Sequence, residues 1–472
     1  MKVDFWQQDG FALASQLRAG TLNPVDLLMK FAERIEQLNP AINAVVFLSE
    51  EALENAQASA IRIAEKKPLS LIDGLPILIK DNLIVKGMPN TWGCQFYAEQ
   101  IDCEDEIPVE KLRQAGAVIV GKTNVPEFTV EGFTANKLFG TTVNPWDTSM
   151  TPGGSSGGSV SAVAAGMIPL SIGTDGGGSI RRPAAYTNLV GLKTTLGRIP
   201  RGGGLPPLLL DMEVIGPLTR SVRDQAMLFD VLAQPDNRDH RSLQFAPANS
   251  MQNLLKAPKS LRILAVEQFA GAPVDPDIRN SFRQMVELMK AMGHQVETDE
   301  LPLDIQPLSE HWASIASISL NMLIQREPDI RKLASSKYIQ WADTQHSAAD
   351  LLNIIEIITK LRNQAAQVFD TLDIIMTPCC AAMPWSTAMD FPTEIDGQPV
   401  GPRGSAVFTG WVNGCGHPAI SLPGKMTQKS MPIGIQFVGG FGQDELLLQL
   451  AQQIEDKQSW LGQWPTVAFM DR

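Results

Sequence analysis

Nowhere in its 472 residues does the chain hold the roughly 18 to 20 consecutive apolar residues that a membrane span requires. Its opening, MKVDFWQQDG, has no long apolar run after its charges, so it does not read as a secretory signal. Cysteine is scarce too. Cys94, Cys103, Cys379, Cys380 and Cys415 are odd in number and scattered, and no C-x-x-C pair occurs. This argues against a disulfide framework, and adjacent Cys379 and Cys380 lack the spacing of joint zinc ligands. Reduced thiols in a cytoplasmic protein are expected. Positive charge is short, with 39 Lys and Arg against 51 Asp and Glu and a formal net charge of −12. A binder of phosphate backbones needs a basic face, so nucleic acid is not expected as a partner; GSIRRP alone stands out as a local basic patch. Histidine is limited to His240, His294, His311, His346 and His417, which restricts histidine-based catalysis.

The apolar content of 44% is enough for a large buried core, so the chain is expected to be folded over most of its length. Residues 1–68 read as N-terminal helices. In NPVDLLMKFAERIEQLNP, Leu27, Phe31 and Ile35 recur every four positions, and Leu28 and Leu38 widen the stripe. Asn23 can cap this helix and Pro24 suits its first turn. EALENAQASAIRIAEKK predicts a second helix, stopped by Pro68. From about residue 70, apolar runs such as LPILIK and AVIVGKTN alternate with helical segments such as IPVEKLRQAG, an α/β pattern. After a glycine-dense stretch, SVRDQAMLFDVLAQ predicts a helix with Ser221 and Asp224 as its capping box. Residues 233–258 read as a surface connection. LRILAVEQ, DPDIRNSFRQMVELMKAMG and HQVETDE then predict strand, helix and strand. A long helical region runs to about residue 370, followed by strands LDIIMT, AISLP and IGIQFVG and the helix DELLLQLAQQIE. No internal repeat is present. One domain over residues 1–472 is expected, with its core over 69–232 and the rest of the core, plus a helical insertion, over 233–472.

Two glycine-rich loops carry the chemistry. TPGGSSGGS fits G-x-S-x-G with Ser155 at its centre, the pattern of a nucleophile elbow. Such an elbow follows a strand, whereas NPWDTSMTP before it is turn material. It also needs a late histidine; His417 in GCGHPAIS is late enough, but reads as a structural histidine. Lysine is the other base open to a serine. Lys80 ends the apolar run GLPILIK, an environment that disfavours an ammonium ion. Lowering it from about 10.4 to about 7 demands about 4.6 kcal/mol, within reach of full burial. Lys122 in VGKTN and Lys193 in GLKTT are placed alike, and each of the three, taken alone, reads as a solvated strand-end lysine. The second loop, GTDGGGSIR, changes that balance. Gly176, Gly177, Gly178 and Ser179 carry four successive backbone N–H groups, able to form a nest for an anion and so an oxyanion hole. Ser179 is therefore the better nucleophile candidate.

Taken in order, GLPILIKDN, TPGGSSGGS and GTDGGGSIRRPAA…VGLKTT resemble the amidase signature family of serine hydrolases. NPWD, HPAISLP and MPIGIQFVG look like further family elements. The resemblance covers most of the chain and is strongest from about residue 70 to 230. It implies the amidase signature fold, a large mixed β-sheet core surrounded by α-helices. It also implies a Ser–cis-Ser–Lys triad. On the matching positions Ser179 is the nucleophile, Ser155 the cis-serine after Gly154, and Lys80 the base, with Asp175 and Arg181 bracing the loop. At position 176, where the family usually has a larger or hydroxyl-bearing residue, this chain has glycine. The implied activity is hydrolysis of a carbon–nitrogen bond in a small linear carboxamide through an acyl-enzyme, without metal or cofactor. A homodimer is left open.

Two other readings also stay open. The A component of the amidotransferase that releases ammonia from glutamine looks similar over the same core. It would bring partner subunits and a site for the glutamine carboxylate, for which Arg403 in GPRGS is a candidate. A nucleotide or phosphate binder would use the glycine loops differently, but G-x-x-x-x-G-K-[ST] is absent, as is G-x-G-x-x-G after a strand. Trp92, Trp146, Trp385, Trp411, Phe128 and Phe133 are candidates for an acyl pocket, although core packing alone accounts for each.

Overall fold

The computed structural model describes residues 4–256, 258, 260–269 and 271–466. Its centre is one mixed sheet of eleven strands. In chain order these are β1 (Val45–Leu48), β2 (Pro76–Lys80), β3 (Val118–Thr123), β4 (Leu170–Asp175), β5 (Val190–Lys193) and β6 (Val214–Thr219). They continue with β7 (Arg262–Ala265), β8 (Gln295–Thr298), β9 (Ile374–Pro378), β10 (Ala419–Pro423) and β11 (Gly434–Gly439). Across the sheet the order is β1-β3-β2-β4-β6-β5-β10-β11-β9-β7-β8. A parallel block, β3-β2-β4, is joined through antiparallel pairs to a second parallel block, β9-β7-β8. β1 pairs antiparallel to β3 at one edge.

Every residue of β2, β4, β6, β9, β10 and β11 is buried. Helices cover the sheet, so these strands have no wet face and need no polar alternation. That is why β2, β9, β10 and β11 are legible as apolar runs. At the far edge β8 is largely exposed, and its sequence is correspondingly polar.

The first long helix runs from Pro24 to Ile42, with the Val25 N–H donating to Asn23 Oδ1 at 2.8 Å. All five of its expected stripe residues are buried. The N-terminal region is not all helix, however. β1 lies between this helix and the next, Ala52–Ala64, and joins the sheet. The capping box at Ser221 is only half formed. Ser221 Oγ accepts the Asp224 N–H, but the Asp224 carboxylate accepts the Gly10 and Phe11 N–H groups, both at 2.8 Å. Asp224 thus holds the start of the helix Gly10–Arg18 rather than its own.

Two short helices are decisive for the site: Gly157–Ala164, packed on β2, β4 and β6, and Arg181–Thr187, packed on β5, β10 and β11. Both are buried at every residue. Small side chains let the first sink in, and a side chain on Gly158 would strike the backbone of Asn124 and Ala44.

Candidate active site

Parallel neighbours β2 and β4 end side by side, β2 at Lys80 and β4 at Asp175. The carboxyl ends of adjacent parallel strands are where open α/β sheets commonly hold their sites. Lys80 is fully buried. Its Nζ lies 2.8 Å from Ser155 Oγ, 2.9 Å from Thr174 Oγ1 and 3.3 Å from the Thr174 carbonyl oxygen. Glu213 and Asp175 act on it from a distance, and burial outweighs them, so its pKa is lowered to about 7. Near neutrality much of the amine is uncharged. Its N–H groups can then donate to Thr174 while its lone pair faces the Ser155 hydroxyl.

The three strand-end lysines are all buried, against the solvated reading of each. They differ in partners. Lys122 Nζ is 2.7 Å from Asp81 Oδ1, an ion pair. Lys193 donates to the carbonyls of Thr194 at 2.9 Å and His417 at 2.7 Å, and burial lowers it to about 8. Lys80 has neither a paired acid nor a wholly backbone socket, and it alone of the three reaches a serine.

The Gly154–Ser155 peptide is cis. Gly153 adopts φ +82°, and a side chain on Gly154 would run into the Phe133 backbone, so the loop admits nothing larger at either position. Thr134 Oγ1 donates to the Gly153 carbonyl at 2.9 Å and accepts the Gly157 N–H at 3.2 Å, closing the loop onto its helix. The Ser156 N–H donates to the Ser179 carbonyl at 3.3 Å, tying the two serine loops together.

Asp175 organises the second loop. Its carboxylate accepts the N–H groups of Gly178 at 2.7 Å, Ile180 at 3.1 Å and Arg181 at 3.3 Å. Arg181 closes on it with Nε at 2.9 Å and Nη2 at 2.8 Å, a fork that fixes both side chains. Arg181 also donates to Gln436 Oε1 and Asn413 Oδ1, both at 2.6 Å. Burial alone would raise the Asp175 carboxyl, but the charge and hydrogen bonds of Arg181 hold it well below the usual range. The expected four-donor oxyanion nest needs correction here. The Gly178 N–H is spent on Asp175, because the carboxylate folds back over the loop that follows it. Among the described residues the N–H groups of Gly176, Gly177 and Ser179 have no acceptor.

A cavity of about 460 Å³ opens above this loop. Ser179 and Gly177 line it and Ser155 does not. Trp312, Trp341, Trp385 and Phe391 supply its aromatic wall.

A sequence model described as Amidase matches residues 26–448. The chain belongs to the amidase signature family. It is a hydrolase of carbon–nitrogen amide bonds. The amidase is 32% identical over 462 residues to the A component of the glutamyl-tRNA(Gln) amidotransferase of Alkaliphilus metalliredigens (strain QYMF), covering 92% of each chain. Its structure is similar to that of a bacterial aryl acylamidase of the amidase signature family, with TM-score 0.89, 26% identity and 98% of each chain covered. It is also similar to a 6-aminohexanoate cyclic dimer hydrolase complexed with substrate, with TM-score 0.88, 28% identity, and 99% of this chain and all of the other covered. Among the described residues, no helix is long and apolar enough to cross a membrane.

Several other sequence candidates fall elsewhere in the amidase. His417 is buried just before β10, its Nδ1 3.0 Å from the Gly439 carbonyl and its ring stacked on Phe369, and burial lowers it to about 4. It is a packing residue, not a base for Ser155. Of the six aromatic candidates only Trp385 lines the cavity. Trp92 and Phe128 pack on each other, Trp411 sits in the main core, and Trp146 donates to the Thr187 carbonyl. Phe133 packs in a small cluster with Trp385. GSIRRP forms no basic surface, since Arg181 and Arg182 are both buried. Trp312 and Trp341, missed in the sequence, come from the helices Gln306–Arg326 and Ser336–Ala342. Nothing local marks them out; only the folded chain brings the helical insertion over the Ser179 loop.

Proposed function

We propose that this amidase hydrolyses small linear carboxamides through an acyl-enzyme on Ser179, as a single catalytic domain acting in the cytoplasm. The observation that carries the reading is the buried Lys80 amine, 2.8 Å from Ser155 Oγ and without an acid partner. As Ser179 Oγ attacks the carbonyl carbon, its proton passes to Ser155, whose own proton passes to neutral Lys80. The carbonyl oxygen, now anionic, takes the N–H groups of Gly176, Gly177 and Ser179, each worth about 3 to 4 kcal/mol in such a role. Lys80, now an ammonium, returns the proton through Ser155 to the departing nitrogen, because an amide anion is too poor a leaving group. Water then attacks the ester, the same relay taking its proton and returning it to Ser179 Oγ as the carbon–oxygen bond breaks, and the acid leaves, ionising in solvent. Asp175 and Arg181 hold the loop in shape throughout.

A second reading, the glutamine-hydrolysing component of an amidotransferase, is favoured by the 32% identity to such a protein. Release of ammonia from glutamine only in the presence of partner subunits would select it. Simple amide hydrolysis by the chain alone would select the first.

The deciding experiment is fluorophosphonate labelling with mass-spectrometric location of the adduct. The adduct is expected on Ser179, and Lys80→Ala is expected to slow labelling by about 100-fold or more, the scale of a lost general base. An adduct on Ser155, with Ser179→Ala still active, refutes the assignment.

A further inference from the structure

A guanidinium drawn out of water without an acid beside it is costly, yet two line the cavity at Ser179, Arg182 buried and Arg403 half-buried. Arg182 is only 7% exposed, and its Nε is sealed from solvent without any hydrogen-bond acceptor. Arg403 lies across the Trp312 ring, its guanidinium carbon 4.3 Å from the ring centroid. Burial first, and the facing charge of Arg182 second, lower Arg403 to about 9, and no carboxylate counters them. The acids of the cavity are already engaged: Lys337 holds Glu131 at 2.7 Å and Asp390 at 3.2 Å. With Lys337 the lining thus carries three cations against those two acids, an excess of one positive charge.

Glycines make room for both arginines at the edge of the nucleophile loop. A methyl group on Gly178 would lie 2.7 Å from Arg182 Nε, and one on Gly132 would lie 2.8 Å from Arg182 Nη1. One on Gly177 would lie 2.6 Å from the Trp312 ring that carries Arg403, and one on Gly410 would lie 3.1 Å from Arg403 Nη2. The unpaired donors therefore line the same cavity as Ser179, beside its loop, in a wall otherwise rich in tryptophan.

We infer that the cavity selects amides that carry a carboxylate, with Arg182 and Arg403 as the groups that hold it. A monoanion leaves the lining neutral and gives both guanidinium groups the partner they lack, with the forked geometry that suits a carboxylate. Glutamine is one member of that class, but the arginine pair does not single it out. The inference rests on Ser179 being the nucleophile.

Two matched substrate pairs test it. Glutaryl-p-nitroanilide and valeryl-p-nitroanilide differ by a carboxylate on the acyl half; 4-acetamidobenzoate and acetanilide differ by one on the amine half. In at least one pair the anionic member is expected to be favoured in kcat/KM by about 30-fold, the size of a charge-assisted contact. Arg403→Gln and Arg182→Gln should each shrink that ratio about tenfold or more through KM, and Arg403→Lys should restore part of it. Glutarate should slow fluorophosphonate labelling of Ser179 in the parent and much less in either glutamine variant. Equal efficiency within both pairs, or variants that lower both members alike through kcat, overturns the inference and makes the arginines mere supports of the loop. Intact labelling that glutarate fails to slow also overturns it, while the catalytic reading survives. Absence of Ser179 labelling overturns both.

Discussion

Replacing Lys80 with methionine should cost the enzyme its activity and make the protein more stable. The buried amine has a pKa of about 7 in the folded chain, against 10.5 for an ordinary lysine. Between those values the unfolded chain binds a proton at Lys80 that the folded chain does not, so stability rises with pH across that window. Below pH 7 both states are protonated and the folded state bears the whole penalty. At about 1.36 kcal/mol per pH unit, that penalty is about 5 kcal/mol in mild acid and about 4 kcal/mol at pH 7. Methionine fills a similar volume without a charge. Thr174 is not stranded by the change, because Asn82 Nδ2 still donates to its Oγ1 at 3.0 Å and Ser156 Oγ to its carbonyl at 3.3 Å. A net gain of about 2 to 4 kcal/mol at pH 6 is expected after the lost contacts are subtracted. Urea denaturation of parent and variant at pH 6, 7, 8 and 9 reads it directly, and the gap should close as pH approaches the ordinary lysine value. In the parent, kcat/KM should fall tenfold per pH unit below about 7 and level off above it. The variant should lose about 1000-fold or more in activity and show no such limb. A variant no more stable than the parent at pH 6, a gap that ignores pH, or a parent profile flat from pH 5 to 8 would each refute a neutral lysine.

Asp175→Asn leaves Arg181 fully buried with its matching charge gone, a loss of about 3 to 5 kcal/mol measurable by urea denaturation. Because the Asp175 carboxyl is held well below the usual range, its contribution is present above the ordinary carboxylate value, so the deficit should stay constant from pH 8 to 5. Gly178→Ala forces a Cβ onto a φ of +116° and against Thr409 Oγ1. It should cost about 1 to 3 kcal/mol of stability and slow the labelling of Ser179; an unchanged labelling rate would show that the loop tolerates distortion.

The two glycine loops were legible because each is written in a short, contiguous stretch. Clustered glycines around a serine have few uses, and they drew attention to Lys80, although the lysine taken alone reads as solvated and the structure buries it. The strands β4, β5 and β6 were not legible. Gly216 and Pro217 fall inside β6, where they weaken the pattern a strand normally shows. The tight pass of the backbone there explains the glycine: a Cβ at 216 would strike the Leu192 carbonyl of β5. The helix Gly157–Ala164 was hidden for a related reason, since its small residues serve close packing and carry no amphipathic signal. The cavity wall was the least legible part. Trp312 and Trp341 acquire meaning only from residues far along the chain that they face, and Arg403, a candidate only through the likeness to the amidotransferase component, joins them on the cavity wall only in the fold.

Lys80 shows why such failures are physical and not accidental. In the sequence it is followed at once by Asp81, and an adjacent acid would suggest an ordinary ion pair and an ordinary lysine. Successive side chains of an extended segment point to opposite sides, so neighbours in sequence are the residues least able to meet. Asp81 accordingly serves Lys122 from β3, at 2.7 Å, and takes a hydrogen bond from the Thr91 hydroxyl. Removing the acid from Lys80 and giving it to Lys122 sets apart two lysines that look alike on the page. One keeps its charge partner and becomes structural. The other is left dry and unpaired, the condition under which burial can lower an amine far enough for it to accept a proton near neutral pH.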